Sequence, residues 1–517
     1  MRDVASRVFR NTAVYSAGTV IAKLAGFLLL PVYAHYFQTE GYGVMGMIDT
    51  SFGVLSIIIT GGFQVGILRI YHESEPDRRS QTLSTGVLLV WGIGIGLVTV
   101  PFLFSGFFSN ILFGSDEYSL ILMLALVSFV IDTAGKSAST SLIISDRSVL
   151  FAALYTGQLV LALLLNIWFV VVLKIGLIGI FLSSLVSASI ASVLFHYFAI
   201  RQHGFRLNPE CARQILAFQL PLIPGQIVSF IGRQTERILV RVQLGLGGVG
   251  ILEMAYRFPP MINYLLTIPF YRAWQTKSFE IADEAGAPGF MGEMFSKFLF
   301  LTLFAGLLLS VAIEGILQAL TPPDFWAASR VTQIEVVTTI LVATTRFTSF
   351  GINYAKKTGF FSVVQSILAP IKIGVAYFFI THYGLAGAAI SALIIEAISF
   401  LVLSAKSQGL YAIRYRYLEI ISMVAIASAL FIVIEGQFIP FYREILGMTV
   451  HALTLLTADD FFVIRWIGFD PGTLDLIRAR LPALGYAMLN VVLASGFLIL
   501  YPLLGRPDST LGGGVVR

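Results

Sequence analysis

The chain has 517 residues, 57% hydrophobic and 12% charged, and carries a formal net charge of +5. Soluble domains carry roughly 25% charged residues, so this composition excludes a string of ordinary soluble domains and points to lipid as the solvent. One cysteine, Cys211, expected in a loop beside Arg213, and six scattered histidines leave no disulfide framework and no metal-ligand set, and no cofactor is expected.

A membrane helix needs roughly 20 predominantly apolar residues. Such runs lie at about 11–33, 45–68, 82–104, 119–143, 149–172, 176–198, 214–240, 249–270, 298–320, 331–353, 361–380, 384–405, 418–436 and 482–504, which predicts fourteen spans in an all-α polytopic membrane protein. Arg2, Arg7 and Arg10 precede the first run. That run is too long for a signal peptide, contains Lys23 and lacks a small-residue cleavage site.

Loop cations set the orientation. Arg69, Arg78, Arg79, Arg147, Arg201, Arg206, Arg213, Arg272, Lys277, Lys356, Lys357, Lys406, Arg414 and Arg416 fall on the side of the N-terminus. Up to residue 416 the opposite side carries Lys174, Arg241 and Arg330, each a single residue. This alternation predicts a cytoplasmic N-terminus and, with an even number of spans, a cytoplasmic C-terminus. Segment 437–481 is assigned to the outer face: its apolar run at 445–456 is short enough to be interfacial, and Asp459, Asp460, Arg465, Arg478 and Arg480 follow it.

Two stretches read alike. Gly176-Leu177-Ile178-Gly179 opens one span and Gly384-Leu385-Ala386-Gly387 another, with six matches in twenty positions at an offset of 208. Gly41-Tyr42-Gly43 and Gly248-Val249-Gly250 form a second pair at nearly the same offset. The offset equals six spans, an even number, so it predicts a parallel repeat of two six-helix lobes, 1–213 and 214–416, followed by additional C-terminal helices in 417–517. Chance likeness between glycine-rich apolar segments is the plainer explanation of either pair alone.

Ionisable side chains inside apolar spans cost roughly 2.5–3.5 kcal/mol each on insertion scales and therefore usually face an interior cavity. Lys23, Lys136, Arg233, Arg237, Arg257, Arg346 and Lys372 are the candidate cavity cations. Asp132, Glu236 and Glu396 are the accompanying anions, with ion-coupling or charge-balancing roles expected. Structural readings stand beside these. Asp132 and Lys136 can pair at i,i+4, Glu236 can neutralise Arg233 or Arg237, and Arg237 and Arg241 can snorkel to an interface. The excess of cations favours an anionic ligand, for which the planar guanidinium fork suits phosphate.

Several motifs carry a family resemblance. They are Asn11-Thr12-Ala13-Val14-Tyr15-Ser16-Ala17-Gly18, Gly26-Phe27-Leu28-Leu29-Leu30-Pro31 and Gly41-Tyr42-Gly43, then Leu220-Pro221-Leu222-Ile223-Pro224, Glu236-Arg237-Ile238-Leu239-Val240, Val249-Gly250-Ile251 and Ala255-Tyr256-Arg257-Phe258. Over about residues 8–410 the chain resembles the bacterial polysaccharide (O-antigen type) flippases of the multidrug/oligosaccharidyl-lipid/polysaccharide exporter superfamily. The family often has Asp-Arg where this chain has Glu236-Arg237, and residues 437–517 depart from its pattern. The resemblance implies two six-helix lobes, alternating access about a central cavity, and a cargo of oligosaccharide on undecaprenyl diphosphate. Ala22-Lys23-Leu24-Ala25-Gly26-Phe27 is similar to a basic motif of the related peptidoglycan-precursor flippases, which makes Lys23 the first candidate for the diphosphate.

The expected function is therefore a flippase of the bacterial cytoplasmic membrane. Its expected partners are a lipid-linked oligosaccharide, the bilayer and other polysaccharide-assembly proteins, with no nucleic acid. Tyr15, Tyr256 and Tyr264 can stack on sugars or simply pack at the interface. A cation-coupled multidrug exporter of the same superfamily is the alternative, with Asp132, Glu236 or Glu396 as its midplane acid. An enzyme is not expected: Asp459-Asp460 is the only suggestive carboxylate pair, and no soluble catalytic domain accompanies it.

Overall fold

A computed structural model describes residues 29–435, apart from 62, and six positions between 487 and 497. Lys23, Tyr15, most of the expected first span, segment 437–481 and most of 482–504 lie outside the described residues. The described chain is helical throughout, as composition predicts: in lipid a helix satisfies its own backbone hydrogen bonds without water.

The helices run in the order α1 Leu30–Thr60, α2 Phe63–Glu73, α3 Pro76–Leu103, α4 Ser105–Phe113, α5 Ser119–Ile144, α6 Ser148–Asn166, α7 Leu177–His203, α8 Pro209–Gln219, α9 Ile223–Ala255, α10 Ile268–Ile281, α11 Ala287–Leu320, α12 Ala328–Thr348, α13 Phe350–Tyr354, α14 Gly359–Leu410 and α15 Tyr417–Glu435. Among the described residues, nine helical stretches are long and apolar enough to cross a membrane. The chain divides into two compact units, Met1–Arg237 with Gly245–Gly250, and Ile238–Leu244 with Ile251–Arg517.

Each unit is built around one central helix. In the first it is α5, whose lower half is lined with Ser137, Ala138, Ser139, Thr140 and Ser141, all buried. The small side chains let α7 come close, and a Cβ on Gly135 would stand 3.0 Å from Ser192. In the second unit it is α12, a helix rich in threonine. Thr344 and Thr345 donate to the carbonyls of Ile340 and Leu341 at 2.7 and 2.8 Å, so their hydroxyls are satisfied within the helix. Beyond it, Thr348 Oγ1 lies 2.6 Å from Ser404 Oγ of α14, and the Gly351 amide donates to Ser407 Oγ at 2.8 Å. Close approach of small residues and interhelical hydroxyl bonds hold helices together where lipid offers no hydrophobic drive between them.

Two sequence expectations change. Cys211 is not in a loop but on α8, 4% exposed, with Sγ 3.5 Å from Thr82 Oγ1. The side chain of Asn208 caps α8 by accepting from the amides of Glu210 and Cys211. The expected span 249–270 is not continuous either. Pro259 and Pro260 end α9 at Ala255, because proline cannot donate to the previous turn and disfavours helix before it. Arg257 therefore sits at a break.

Backbone geometry recurs at the spacing of the two motif pairs. Gln38 and Gly245, 207 positions apart, interrupt α1 and α9 with nearly the same dihedrals (φ 52, ψ −170 and φ 77, ψ −171). Gly176 and Gly384, 208 apart, do the same before α7 and within α14 (φ 75, ψ −148 and φ 58, ψ −133). Positive φ is accessible to glycine at little cost, and each of these positions turns the chain between two helices. Gly384 thus separates the two spans expected at 361–380 and 384–405.

The following glycines allow close contact. A Cβ on Gly43 would lie 2.0 Å from the Leu246 carbonyl oxygen, and one on Gly250 would lie 1.8 Å from that of Thr39. Thr39 and Leu246 are themselves 207 apart, so the two contacts are the same contact related by the repeat, and all four residues belong to the first unit. Tyr42, between the glycines, is buried and donates its hydroxyl to the Leu30 carbonyl at 3.3 Å, tying the arms of α1 across Gln38.

Gly43→Ala and Gly250→Ala should each destabilise the protein by about 2 kcal/mol or more, since the clashing atom is backbone. The thermal midpoint in detergent should fall for both and hold for Gly96→Ala, whose surroundings are open. Equal midpoints for all three variants would refute the close approach.

Candidate functional site

On α5 every residue from 133 to 142 is buried except Lys136. On α12 and the start of α13 every residue from 343 to 352 is buried except Arg346. These two positions are 210 apart, within a turn of the repeat offset. Over these ten residues each central helix is enclosed by protein and opens at one place, and that place carries a cation.

Lys136 Nζ pairs with Asp132 at 2.5 Å, the lysine side chain 55% exposed and the aspartate 26%. The i,i+4 pair that spacing allows is therefore formed. Gln158 Nε2 of α6 donates to the other Asp132 oxygen at 2.9 Å, and Tyr155 of α6 lies within electrostatic reach of the lysine. Gln158 and Tyr155 were not legible as site residues, because nothing in an uncharged apolar helix marks the face turned to its neighbour.

In the second unit, Thr345 Oγ1, which is bonded to the Leu341 carbonyl, stands 3.4 Å from Glu396 Oε1. Glu396 on the later arm of α14 interacts electrostatically with Lys372 on its earlier arm and with Arg346 on α12. Tyr271 of α10 also feels Arg346. The second unit thus brings two of the candidate cations within electrostatic reach of one candidate anion.

The α9 candidates are arranged differently. Arg233 is exposed, with its guanidinium carbon 5.9 Å from the centroid of the Phe230 ring. Arg237 donates to Gln234 Oε1 at 2.5 Å. Glu236, beside it, is 2% exposed. Arg257 lies half-buried at the break after α9. Lys23 falls outside the described residues.

The family profile described as "Polysaccharide biosynthesis protein" matches residues 8–275, just over half of the chain. The chain belongs to that family. Its relatives include the Lsg locus protein 1 of Haemophilus influenzae, 23% identical over 288 residues that cover 53% of this chain and 69% of that protein. Among solved structures it is similar to the lipid II flippase MurJ in an inward closed conformation, with a TM-score of 0.68 and 16% identity over 96% of this chain and 100% of that one. It is also similar to an inward-facing multidrug resistance transporter of the MATE family, with a TM-score of 0.55 and 16% identity over 75% of this chain and 95% of that one. The polysaccharide-family resemblance read from the motifs is borne out, and the chain is a multi-pass α-helical membrane protein of the same fold as these transporters.

An opening filled by lipid and one filled by water differ in thiol chemistry, because charged reagents attack only hydrated thiolates. In a Cys211→Ser background, Lys136→Cys and Arg346→Cys should react with a membrane-impermeant sulfonate reagent in open vesicles at least tenfold faster than Ala138→Cys and Thr344→Cys. Equal protection at all four positions would place the two cations in lipid.

Proposed function

We propose that this chain is a flippase that moves an oligosaccharide on undecaprenyl diphosphate across the bacterial cytoplasmic membrane by alternating access, with its N-terminus in the cytoplasm. The observation that carries the reading is the cation opened by each central helix, Lys136 in one unit and Arg346 in the other. A charge in an apolar span is retained only against a hydrated or charged partner. A diphosphate is such a partner, bound by the bidentate fork of arginine and the point charge of lysine.

Membership of a polysaccharide biosynthesis family supports a glycan cargo, and the likeness to a lipid II flippase supports a lipid-linked one. In this scheme Asp132 and Glu396 balance the cations when cargo is absent. Arg233 and Lys372 add positive charge along the route, and Lys23 contributes through its motif. The sugars travel in the wet opening while the hydrocarbon tail stays in the bilayer. The sequence motifs favour transport over catalysis, and the partners are the lipid-linked glycan and other polysaccharide-assembly proteins.

The likeness to a multidrug transporter keeps one second reading in view, the export of organic cations coupled to an ion, with Asp132, Glu236 or Glu396 as the acid. Arg346 and Lys372, both within electrostatic reach of Glu396, oppose a cationic cargo there.

The test is leaflet exchange in proteoliposomes. A polyprenyl-diphosphate oligosaccharide should become accessible to an external lectin only when the protein is present. The Lys136→Ala, Arg346→Ala double variant should slow this at least tenfold, and Lys136→Arg should retain most of it. Exchange at the wild-type rate in the double variant would remove the cations from the mechanism. Uptake of a radiolabelled organic cation, without glycan exchange, would favour the second reading.

A further inference from the structure

A cavity of about 230 Å³ opens in the first unit between α3 and the end of α7, away from Lys136 and Arg233. Leu83, Val87 and Leu88 form one wall, and Ala199, Ile200 and Phe205 form the other. Three polar side chains reach it: Ser84 is bonded to the Arg206 carbonyl, and the other two satisfy each other. Trp91 Nε1 donates to His196 Nε2 at 2.9 Å, and His196 Nδ1 stands 2.7 Å from the Ser192 carbonyl. Indole is a donor only, so His196 accepts at Nε2 and donates from Nδ1. With those atoms spent, the cavity offers hydrocarbon and nothing else.

Its mouth is different. At Gly204 (φ 70) the chain leaves α7 and turns back along α3. Ser84 Oγ donates to the Arg206 carbonyl at 2.6 Å, and the Asn208 amide donates to Thr85 Oγ1 at 2.8 Å, which fixes this turn against the helix. Arg201 and Arg206 directly follow the lining residues Ile200 and Phe205, and both are exposed. Among the described residues neither pairs with a carboxylate; Arg201 donates only to the Tyr197 hydroxyl, at 3.3 Å. Arg78 is also exposed, about one turn before Leu83 on α3. Phe205 and Leu207 are exposed apolar residues at the same level.

We propose that this cavity binds an anionic glycerophospholipid, with an acyl chain in the slot and the phosphate against Arg201 and Arg206. Hydrocarbon walls with cationic side chains at the rim match the two halves of such a lipid. Basic pockets between membrane helices on the positively charged side are where anionic head groups settle. A zwitterionic lipid fills the slot equally well but gains less from unpaired guanidinium groups at the rim. The bound lipid would wedge α3 against α7 and so stiffen the packing of α7 on α5.

The experiment is native mass spectrometry of the full chain, purified in detergent, delipidated and titrated with either phosphatidylglycerol or phosphatidylcholine of the same acyl chains. The first adduct should form with phosphatidylglycerol at roughly fivefold lower lipid concentration. Arg201→Gln with Arg206→Gln should bring the two lipids level, and both side chains are exposed, so folding should be unaffected. Ile200→Trp, which fills the slot from its exposed edge, should remove the first adduct while leaving both arginines in place.

Equal adducts for the two lipids in the wild type, or a preference that survives both variants, would overturn the proposal. A polyprenyl phosphate that displaces phosphatidylglycerol at equimolar concentration would overturn it in another way, by assigning the slot to a cargo tail.

Discussion

Close packing of small residues along one helix in each unit is the constraint on which the rest of this structure depends. Within lipid, apolar surface has nothing to gain by leaving its solvent, so helices associate through contact distance and hydroxyl bonds. Gly135 against Ser192 and Gly351 against Ser407 bring neighbours close enough for this. Once α5 and α12 are enclosed, a long charged side chain on either has one exit. The position of Lys136 and of Arg346 is a consequence of that enclosure as much as of the cation itself. A lysine on a lipid-facing helix could bend to the interface, whereas Lys136 and Arg346 emerge between buried neighbours on their own helices.

The same small residues set the topology. A helix pair joined by one residue needs a backbone reversal that L side chains rarely adopt, and glycine supplies it at Gly245 and Gly384. Gln38 takes the same conformation without being glycine, and Tyr42 ties the flanking arms together across it. The paired contacts of Gly43 with Leu246 and of Gly250 with Thr39 show that the repeat is a repetition of geometry, with little sequence left to mark it. A side chain at either glycine would meet a carbonyl oxygen below van der Waals distance.

Family membership and fold speak at different levels. The matched family profile names polysaccharide biosynthesis and says nothing of the residues that meet the cargo. Likeness at 16% identity preserves helix positions but few side chains, so the charges have to be read from this chain. Asp132 beside Lys136 and Glu396 near Arg346 and Lys372 are built alike: each exposed cation has an acid within electrostatic reach. The hydrocarbon slot beside Trp91 follows another logic. Its polar atoms are consumed internally and its cations stand at the rim.

The sequence by itself determined the helical membrane class, because composition decides which solvent a chain can face. It also determined most helix positions, because apolar length must match bilayer thickness. The two glycine pairs and their common offset were legible too, since a required backbone conformation leaves a residue signature. The break at Pro259 and Pro260 and the burial of Cys211 were hidden by apolar surroundings that look the same in a span, a turn or a short surface helix. Which charges meet was decided only by tertiary structure. Asp132 and Lys136 are neighbours on one helix and could be paired on paper. Arg346, Lys372 and Glu396 come from separate helical arms, and their meeting depends on the turn at Gly384 and on which face of α12 is left open, neither of which is written in the spacing of the charges.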